Sequence, residues 1–370
     1  MSRPVYRPRR GLSIPSITVL DSSSRVIEAE QRRVFRYIAQ SGMGADILFG
    51  GGTTGELNRI SNTERQRLIR ILVDEVSSIN AEARAAEVST VEAWVGISGA
   101  TRNETLLNLD CALSAGADAA VIAPLSIGDI GSLAPFFQRE VSDLFDHAGR
   151  SIPIFLYDNA EIAADPRIPH IHTREVKLIS RLPFIHGIKV SAPRRVLGNY
   201  TKGALHFKDK GEFGVYIGDA MLMFQVFKLD DGFAGRVREY WNRYLLHNEL
   251  PMGVVSGPAN VFPREWQRAW RACYAADQHL MGIYQTSFTR FESACGFLID
   301  RKPVSKMIAC LKYALKLEGV IDSDCVDPKT PSLSRAERDL FAVGYAGVRE
   351  YISRRTTSPW VSEPVAVSGY

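Results

Sequence analysis

Lys189 stands near the end of the short apolar run Ile185–Val190, where a charged side chain is unusual. Burying a charge without a partner is costly, so lysines are seldom buried unpaired. A lysine that has lost its proton is a nucleophilic amine, which attacks a ketone and forms an imine. The protonated imine is an electron sink, and it lets an adjacent carbon–carbon bond break or form through an enamine. Lys189 is therefore the candidate nucleophile.

Imine chemistry also needs a proton shuttle and, for a keto acid, a site for the carboxylate. Tyr157 ends a second apolar run, and a tyrosine hydroxyl on a neighbouring strand is suited to carry protons. The glycine-rich segment GGGTTGE covers residues 50–56. Successive backbone amides form anion-binding concavities, so the Thr53-Thr54-Gly55 turn is the candidate carboxylate site.

Each of these features also has an ordinary structural explanation. A lysine at a strand end is usually solvated, and a tyrosine there usually packs in the core with its hydroxyl at the rim. A glycine-rich segment is more often a tight turn than a ligand site. Only the combination, placed on the ends of predicted strands, is specific.

Short β-rich runs alternate with longer amphipathic stretches along the chain. Most have the length and apolar character of strands that are buried on both faces. The candidate strands are Leu12–Leu20, Asp46–Gly51, Ala93–Ile97, Asp118–Ala123, Ile152–Tyr157, Ile185–Val190, Phe213–Gly218 and Gly253–Ser256. Helical spacing of apolar residues between them predicts helices over Thr63–Val76, Thr105–Ala115 and Thr173–Arg181.

Eight strands alternating with helices over about 250 residues match an α/β fold of the (β/α)8 barrel type. A doubly wound sheet would usually have fewer units and a GxGxxG motif after its first strand, which this sequence lacks. Active sites of such barrels lie at the C-terminal ends of the strands. Lys189, Tyr157 and the Thr53-Thr54-Gly55 turn are therefore predicted to face one cavity.

The predicted barrel covers residues 11–265, and residues 266–351 form a C-terminal helical region. After Pro263 the strand pattern stops, and the predicted helices are Ala269–Ala276, Leu280–Phe297, Val304–Glu318 and Arg335–Tyr351. We expect the basic residues 1–10 to be a disordered tail and residues 352–370 to be a second loose tail.

Composition excludes several classes of protein. The chain has 370 residues, 23% of them charged, and a net charge of +4, which is small for a nucleic-acid-binding protein. No apolar run approaches the roughly 20 residues that cross a bilayer, and no signal-peptide segment follows the basic N-terminus. Five cysteines without a CxxC pair predict reduced thiols in the cytoplasm. The histidines lack the HxxxH or HExxH spacing of a zinc site.

Taken together, the motifs resemble the dihydrodipicolinate synthase / N-acetylneuraminate lyase family of class I, Schiff-base aldolases. The resemblance extends from about Gly11 to about Phe341. It rests on the segments Gly52–Glu56, Ile60–Arg65, Ala115–Ala119, Ala123-Pro124, Leu156–Asn159, Gly187–Lys189 and Gly253–Ser256, with Asn260 and Pro263. The family fold is a (β/α)8 barrel with C-terminal helices.

This resemblance implies roles for the candidate residues. Lys189 would form the imine with pyruvate or another 2-keto acid, and Tyr157 would be the proton shuttle. Thr53 would link Tyr157 to solvent or substrate, and Thr54 with Gly55 would hold the carboxylate.

Further residues and partners follow from the same resemblance. The main chain at Val255 would line the keto-acid pocket, and Gly218 and Asp219 would contact the variable part of the substrate. A homodimer or homotetramer is implied. Neither a metal nor an organic cofactor is needed, because the imine itself is the electron sink.

The departures from the family pattern concern the second half of the substrate. Synthases often have two tyrosines after the fourth-strand proline, one of them lent to a neighbouring subunit, whereas Leu125-Ser126 stands here. Ala160 and Ile162 replace a proline and a carboxylate-binding arginine, which argues against a true dihydrodipicolinate synthase. Asp158 replaces the usual asparagine, and we interpret it as a turn residue, the alternative being a charge beside the tyrosine.

Three functions remain open from the sequence. The first is a lyase of the pyruvate-aldolase type. The second is a dehydratase of a 2-keto-3-deoxy sugar acid that uses the same imine on Lys189. The third, of another class, is a barrel that binds a keto acid without turnover. The presence of a nucleophile, a proton shuttle and an anion site favours a catalytic role.

Overall fold

The computed structural model describes residues 6–57, 59–228, 237, 250–299 and 302–356. Eight parallel strands close into a barrel in chain order, with β1 pairing with β8. The strands are β1 (Gly11–Pro15), β2 (Ile47–Gly50), β3 (Glu92–Gly96), β4 (Ala119–Ile122), β5 (Ile154–Asn159), β6 (Ile185–Ser191), β7 (Gly214–Ile217) and β8 (Gly253–Val255). The predicted (β/α)8 barrel is confirmed, and every strand overlaps its predicted run.

The first predicted strand is too long, because β1 ends at Pro15. The Ser16 amide still donates to the Phe49 carbonyl of β2 at 2.8 Å, but the amides of Ile17 and Val19 bond to side chains. The Ile17 amide donates to Asn260 Oδ1 at 3.1 Å, and the Val19 amide donates to Gln31 Oε1 at 2.8 Å.

Helices on the outside of the barrel connect the strands. They are Glu28–Ala39, Asn62–Ala85, Arg102–Ala115, Thr173–Ile179, Arg194–Phe207, Met223–Val226 and Pro263–Tyr274, with a further helical stretch over residues 133–148 that contains a π-helical turn at Phe136–Val141. Ser61 caps the second helix, because its hydroxyl accepts a hydrogen bond from the Glu64 amide at 3.3 Å. No helix in the described part of the chain is long and apolar enough to cross a membrane.

The C-terminal region contains the helices Gln278–Ala294, Met307–Leu317 and Arg335–Thr356. It also contains an antiparallel pair, β9 (Gly296–Ile299) and β10 (Lys302–Ser305), so the prediction that strands stop after Pro263 is wrong. These strands have four residues each and β10 is largely exposed, which leaves no apolar run to recognise. The last helix continues to Thr356, past the predicted end at Tyr351, so residues 352–356 are helical and are not part of a tail.

The expectation of disorder is wrong for residues 6–10, which close the N-terminal end of the barrel; residues 1–5 lie outside the described residues. The Tyr6 ring lies 4.9 Å from the His186 ring in an edge-on contact. The Tyr6 hydroxyl reaches Glu92 Oε2 at 3.4 Å, and the Tyr216 hydroxyl donates to the Arg9 carbonyl. The basic side chains of this segment are held by hydrogen bonds, since Arg9 donates to the Thr90 carbonyl and Arg10 donates to the Tyr274 hydroxyl.

Large aromatic side chains fill the lower part of the barrel interior. Trp94 stacks on Phe155 with ring centroids 4.0 Å apart, and Tyr216 meets both rings edge-on. Such packing leaves no room for solvent at this end. Chemistry inside the barrel is therefore confined to the upper, C-terminal end of the strands.

Candidate active site

The ladder between β5 and β6 brings the two principal candidate residues together. Tyr157 pairs with Lys189, and the next inward rung pairs Asn159 with Ser191. Side chains alternate between the two faces of a strand, so all four point into the barrel. Tyr157 is 3% exposed and Lys189 is 5% exposed. The two side chains therefore lie next to each other in the barrel interior, as predicted from their positions at the strand ends.

The Lys189 ammonium lies against aromatic rings. Its Nζ is 3.7 Å from the centroid of the Tyr157 ring and 5.3 Å from the centroid of the Phe49 ring. Within the described part of the chain, the ammonium contacts these two rings and forms no ion pair with a carboxylate. A cation over ring faces is stabilised by the ring quadrupole, which compensates part of the loss of hydration.

Three polar groups surround the Tyr157 hydroxyl. Thr53 Oγ1 lies at 3.4 Å, Ser191 Oγ at 3.2 Å and Asn159 Nδ2 at 2.9 Å. Burial raises the pKa of Tyr157, but the charge of Lys189 and these hydrogen bonds outweigh burial and leave the pKa below its usual value. A tyrosine in this setting gives up its proton more readily than one in water.

The glycine-rich turn follows β2 and reaches Tyr157 through Thr53. Residues Thr53–Gly55 form one turn of 3-10 helix, in which the Gly55 amide donates to the Gly52 carbonyl at 3.0 Å. The amide of Gly55 therefore bonds within the turn, and its role in holding the carboxylate stays a prediction. The amides of Thr53 and Thr54 begin the turn, and the first amides of a helical turn have no acceptor within it.

The remaining predicted residues are spread around the same rim. Val255 lies on β8 and is buried in the interior cluster. A Cβ atom on Gly257, two residues later, would come within 3.2 Å of the Thr54 hydroxyl, which places Thr54 beside that strand end. Gly218 lies against Ser191, while the side chain of Asp219 is exposed at the start of the next turn.

The rim beside Tyr157 is apolar at the position where the family pattern has an arginine. Ile162 packs against the interior cluster. Leu125 is half-buried, and its carbonyl accepts from the Ala164 amide at 2.7 Å, which ties the segment after β5 to the segment after β4. Neither side chain offers a charge to a second carboxylate.

Asp158 is not a turn residue, so that interpretation is wrong. It lies on β5 and points out of the barrel, where its side chain is 0% exposed. It accepts from the Ile171 amide at 2.9 Å and the Tyr200 hydroxyl at 3.1 Å, and it lies 3.0 Å from His170 Nδ1. Burial raises the pKa of Asp158, while these partners lower it in part. Asp158 anchors the segment that returns from the rim, and it does not face the reacting atoms.

A buried ion pair lies directly behind the glycine-rich turn. Glu56 and Lys312 are both 0% exposed at their side chains and meet at 2.6 Å. Glu56 also accepts from the Asp327 amide at 2.8 Å and the Thr330 hydroxyl at 2.6 Å. The C-terminal region thereby fixes the end of the turn that carries Thr53 and Thr54. Nothing in the sequence signals this pair, because its members are 256 residues apart.

Asn159 and Ser191 also lie beside Tyr157, although neither was predicted as a site residue. The signal was present, since each stands two positions after a candidate catalytic residue on a strand, and spacing of two keeps the same face. The polar side chains at these positions continue the inner row beyond Tyr157 and Lys189.

Dihydrodipicolinate synthases and related proteins are among the known proteins that this chain resembles. The chain is 24% identical over 329 residues to a 4-hydroxy-tetrahydrodipicolinate synthase of Methanothermobacter thermautotrophicus, covering 87% of this chain and 97% of that protein. A dihydrodipicolinate synthase structure from Bacteroides thetaiotaomicron superposes with a TM-score of 0.71 at 22% identity, covering 92% and 99% of the two chains.

A second solved structure, YagE from E. coli K12 in complex with pyruvate, belongs to the dihydrodipicolinic acid synthase family. It gives a TM-score of 0.67 at 18% identity and covers 92% of this chain and 98% of that one. No protein-family model matches the chain. The resemblance to this family is confirmed, and the chain has the fold of these dihydrodipicolinate synthase structures.

Proposed function

We propose that this dihydrodipicolinate synthase-like barrel is a lyase that forms an imine between Lys189 and pyruvate or another 2-keto acid. The observation that carries the proposal is the placement of Lys189 Nζ 3.7 Å from the Tyr157 ring, with the tyrosine hydroxyl inside a polar network. The relative YagE, whose structure contains pyruvate, supports a keto acid as the substrate class.

The proposed reaction begins when the Lys189 amine attacks the ketone carbon. The resulting carbinolamine loses water, and Tyr157 supplies the proton that leaves with the hydroxyl. The amides and hydroxyls of Thr53 and Thr54 hold the carboxylate, which fixes the ketone over the amine. Val255 forms the opposite wall of the keto-acid site.

The apolar rim at Leu125 and Ile162 bears on the second half of the substrate. Because Leu125 and Ile162 carry no charge that could pair with a distal carboxylate, we propose that this part of the substrate is neutral or hydroxylated. Aldol cleavage and loss of water from a 2-keto-3-deoxy sugar acid both start from the same imine. A panel of such acids, assayed in parallel for pyruvate release and for dehydration, distinguishes the two reactions.

Borohydride trapping tests the imine directly. Reduction in the presence of pyruvate, followed by intact mass measurement and peptide mapping, is expected to place one pyruvate adduct on Lys189. Lys189→Ala is expected to abolish the adduct, whereas Lys202→Ala, which changes an exposed lysine, is expected to keep it. Absence of an adduct with pyruvate and with a panel of larger keto acids would refute the imine and leave a non-catalytic binding barrel.

The remaining expectations concern the assembled protein and its location. All five cysteines carry free thiols, which supports our proposal of a reducing, cytoplasmic compartment. We also propose a homodimer or homotetramer, as in the family that the chain resembles. Size-exclusion chromatography with light scattering measures that state.

A further inference from the structure

We propose that Asn159 fixes the Tyr157 hydroxyl as a hydrogen-bond acceptor, so that the tyrosine exchanges its proton with Ser191 in a relay contained within one subunit. The inference rests on the proposed imine chemistry and deepens it. The family pattern lends a second tyrosine to the relay from another subunit, and Leu125-Ser126 offers none here. The inner rung above Tyr157 and Lys189 supplies polar groups from the chain itself.

The orientation of the Asn159 amide is fixed by its two contacts. Its Oδ1 accepts from the Glu161 amide at 3.0 Å, so the oxygen must face the turn Ala160–Ile162. The opposite end of the amide is therefore NH2, which is a donor only and lies 2.9 Å from the Tyr157 oxygen. Asn159 is 7% exposed, so solvent does not compete strongly for this bond.

Donation by Asn159 decides where the tyrosine proton goes. The Tyr157 oxygen accepts from the amide, and its own O–H must then point to a different partner. Two hydroxyls are available, Ser191 at 3.2 Å and Thr53 at 3.4 Å. A hydroxyl both donates and accepts, so it can pass a proton on, which an amide NH2 cannot do. Ser191 is the closer one, and it is half-buried, so it connects the buried tyrosine with the open end of the barrel.

The relay serves enamine formation. The C3–H bond of the keto-acid imine breaks, and its proton passes to the ionised Tyr157 oxygen. The bonding electron pair forms the C2–C3 double bond, and the iminium nitrogen becomes neutral. Tyr157 then gives a proton to Ser191, whose own hydroxyl proton leaves to solvent. Protons and charge balance without any further reactant.

The contact between Ser191 and Tyr157 also requires that residue 218 has no side chain. A Cβ atom there would lie 2.3 Å from Ser191 Oγ and 2.8 Å from the Ser191 amide nitrogen. Such distances are too short for any contact, so a side chain at residue 218 would displace the serine. The glycine leaves the space in which the Ser191 hydroxyl meets Tyr157.

Exchange of the pyruvate methyl hydrogens with deuterated water, followed by NMR, measures the relay without knowledge of the second substrate. Ser191→Ala is expected to slow exchange at least tenfold, and Ser191→Thr to restore a large part of it. Asn159→Asp keeps the acceptor for the Glu161 amide but loses the donor. It is expected to slow exchange and to move its pH profile to higher pH, because an ionised Tyr157 loses its hydrogen bond.

Ser126→Ala is the matched control. Ser126 stands at the rim position of the family's second tyrosine, but its hydroxyl donates to the Ala123 carbonyl at 2.8 Å, so exchange is expected to be unchanged. Borohydride trapping on the same samples separates the two proposals. In one outcome, the unmodified protein forms the Lys189 adduct while Ser191→Ala and Asn159→Asp show the same rate of deuterium exchange and the same pH profile as the unmodified protein. That result would refute the relay and leave the imine standing. If no adduct forms, both proposals are refuted.

Discussion

Lys312→Met should be among the most disruptive single changes outside the reacting residues. It leaves the Glu56 carboxylate with 0% exposure and without its cation. Removing one partner of a buried ion pair costs about 3–5 kcal/mol, because the other charge stays buried and uncompensated. The unfolding entropy of about 2.1 cal/mol/K per residue gives roughly 0.8 kcal/mol/K for 370 residues. The expected loss is therefore about 4–6 °C in Tm.

The same helix provides a control of equal chemistry. Lys316 pairs with Asp324 at 2.9 Å but is 43% exposed, and exposed pairs contribute about 1 kcal/mol or less. Lys316→Met is therefore expected to change Tm by about 1 °C. The double variant Glu56→Gln, Lys312→Met removes both charges and is expected to recover much of the loss, since the amide oxygen of glutamine still accepts from the partners of Glu56.

Differential scanning calorimetry and urea unfolding measure these differences. The glycine-rich turn adds a functional readout, because the Glu56 amide donates to the Thr53 carbonyl at 3.1 Å. A displaced Glu56 is expected to raise the KM for the keto acid more than it lowers kcat. If Lys312→Met and Lys316→Met unfold within 1 °C of each other, the pair contributes no more than a surface contact and the reasoning is wrong.

Three further predictions concern His186, Gly218 and Asp158. Burial and the charge of Lys208 lower the pKa of His186 to about 4. Below about pH 6.5, His186 therefore binds a proton in the unfolded chain but stays neutral in the folded chain. Stability should therefore fall by up to about 3 kcal/mol from pH 6.5 to 4, and urea titrations of His186→Gln should lack this share of the loss. Gly218→Ala should slow pyruvate deuterium exchange at least tenfold without loss of the barrel by circular dichroism; full activity would show that the site tolerates the displacement. Asp158→Ala leaves the Ile171 amide without its acceptor and should cost about 1–3 kcal/mol, with faster proteolysis within residues 160–171, whereas unchanged proteolysis would contradict an anchoring role.

The sequence was sufficient for the barrel because its strands are buried on both faces. Runs such as Ile185–Val190 are continuous and apolar, and they alternate with helices at regular spacing. The positions of Lys189 and Tyr157 at strand ends then followed from the general location of active sites in this fold. Motif resemblance contributed Thr53, which indeed lies within reach of the tyrosine hydroxyl.

The parts that could not be predicted depend on contacts between distant segments. Asp158 reads as a turn residue locally, but its partners Ile171 and Tyr200 are 13 and 42 residues away. Lys312 looks like an ordinary helical lysine until Glu56 is placed beside it. Charge and polarity along the chain indicate exposure on average, and these residues are exceptions because specific partners satisfy them.

The segment that closes the lower end of the barrel has a consequence for the order of folding. Arg9 and Thr90 are 81 residues apart, Arg9 and Tyr216 are 207 apart, and Arg10 and Tyr274 are 264 apart. Synthesis proceeds from the N-terminus, so this segment leaves the ribosome long before its partners do. Contacts of such long range form slowly, because a large loop must close before any of them is made. We therefore expect this segment, one of the first pieces of the described chain to be made, to close the barrel in one of the last steps of its assembly.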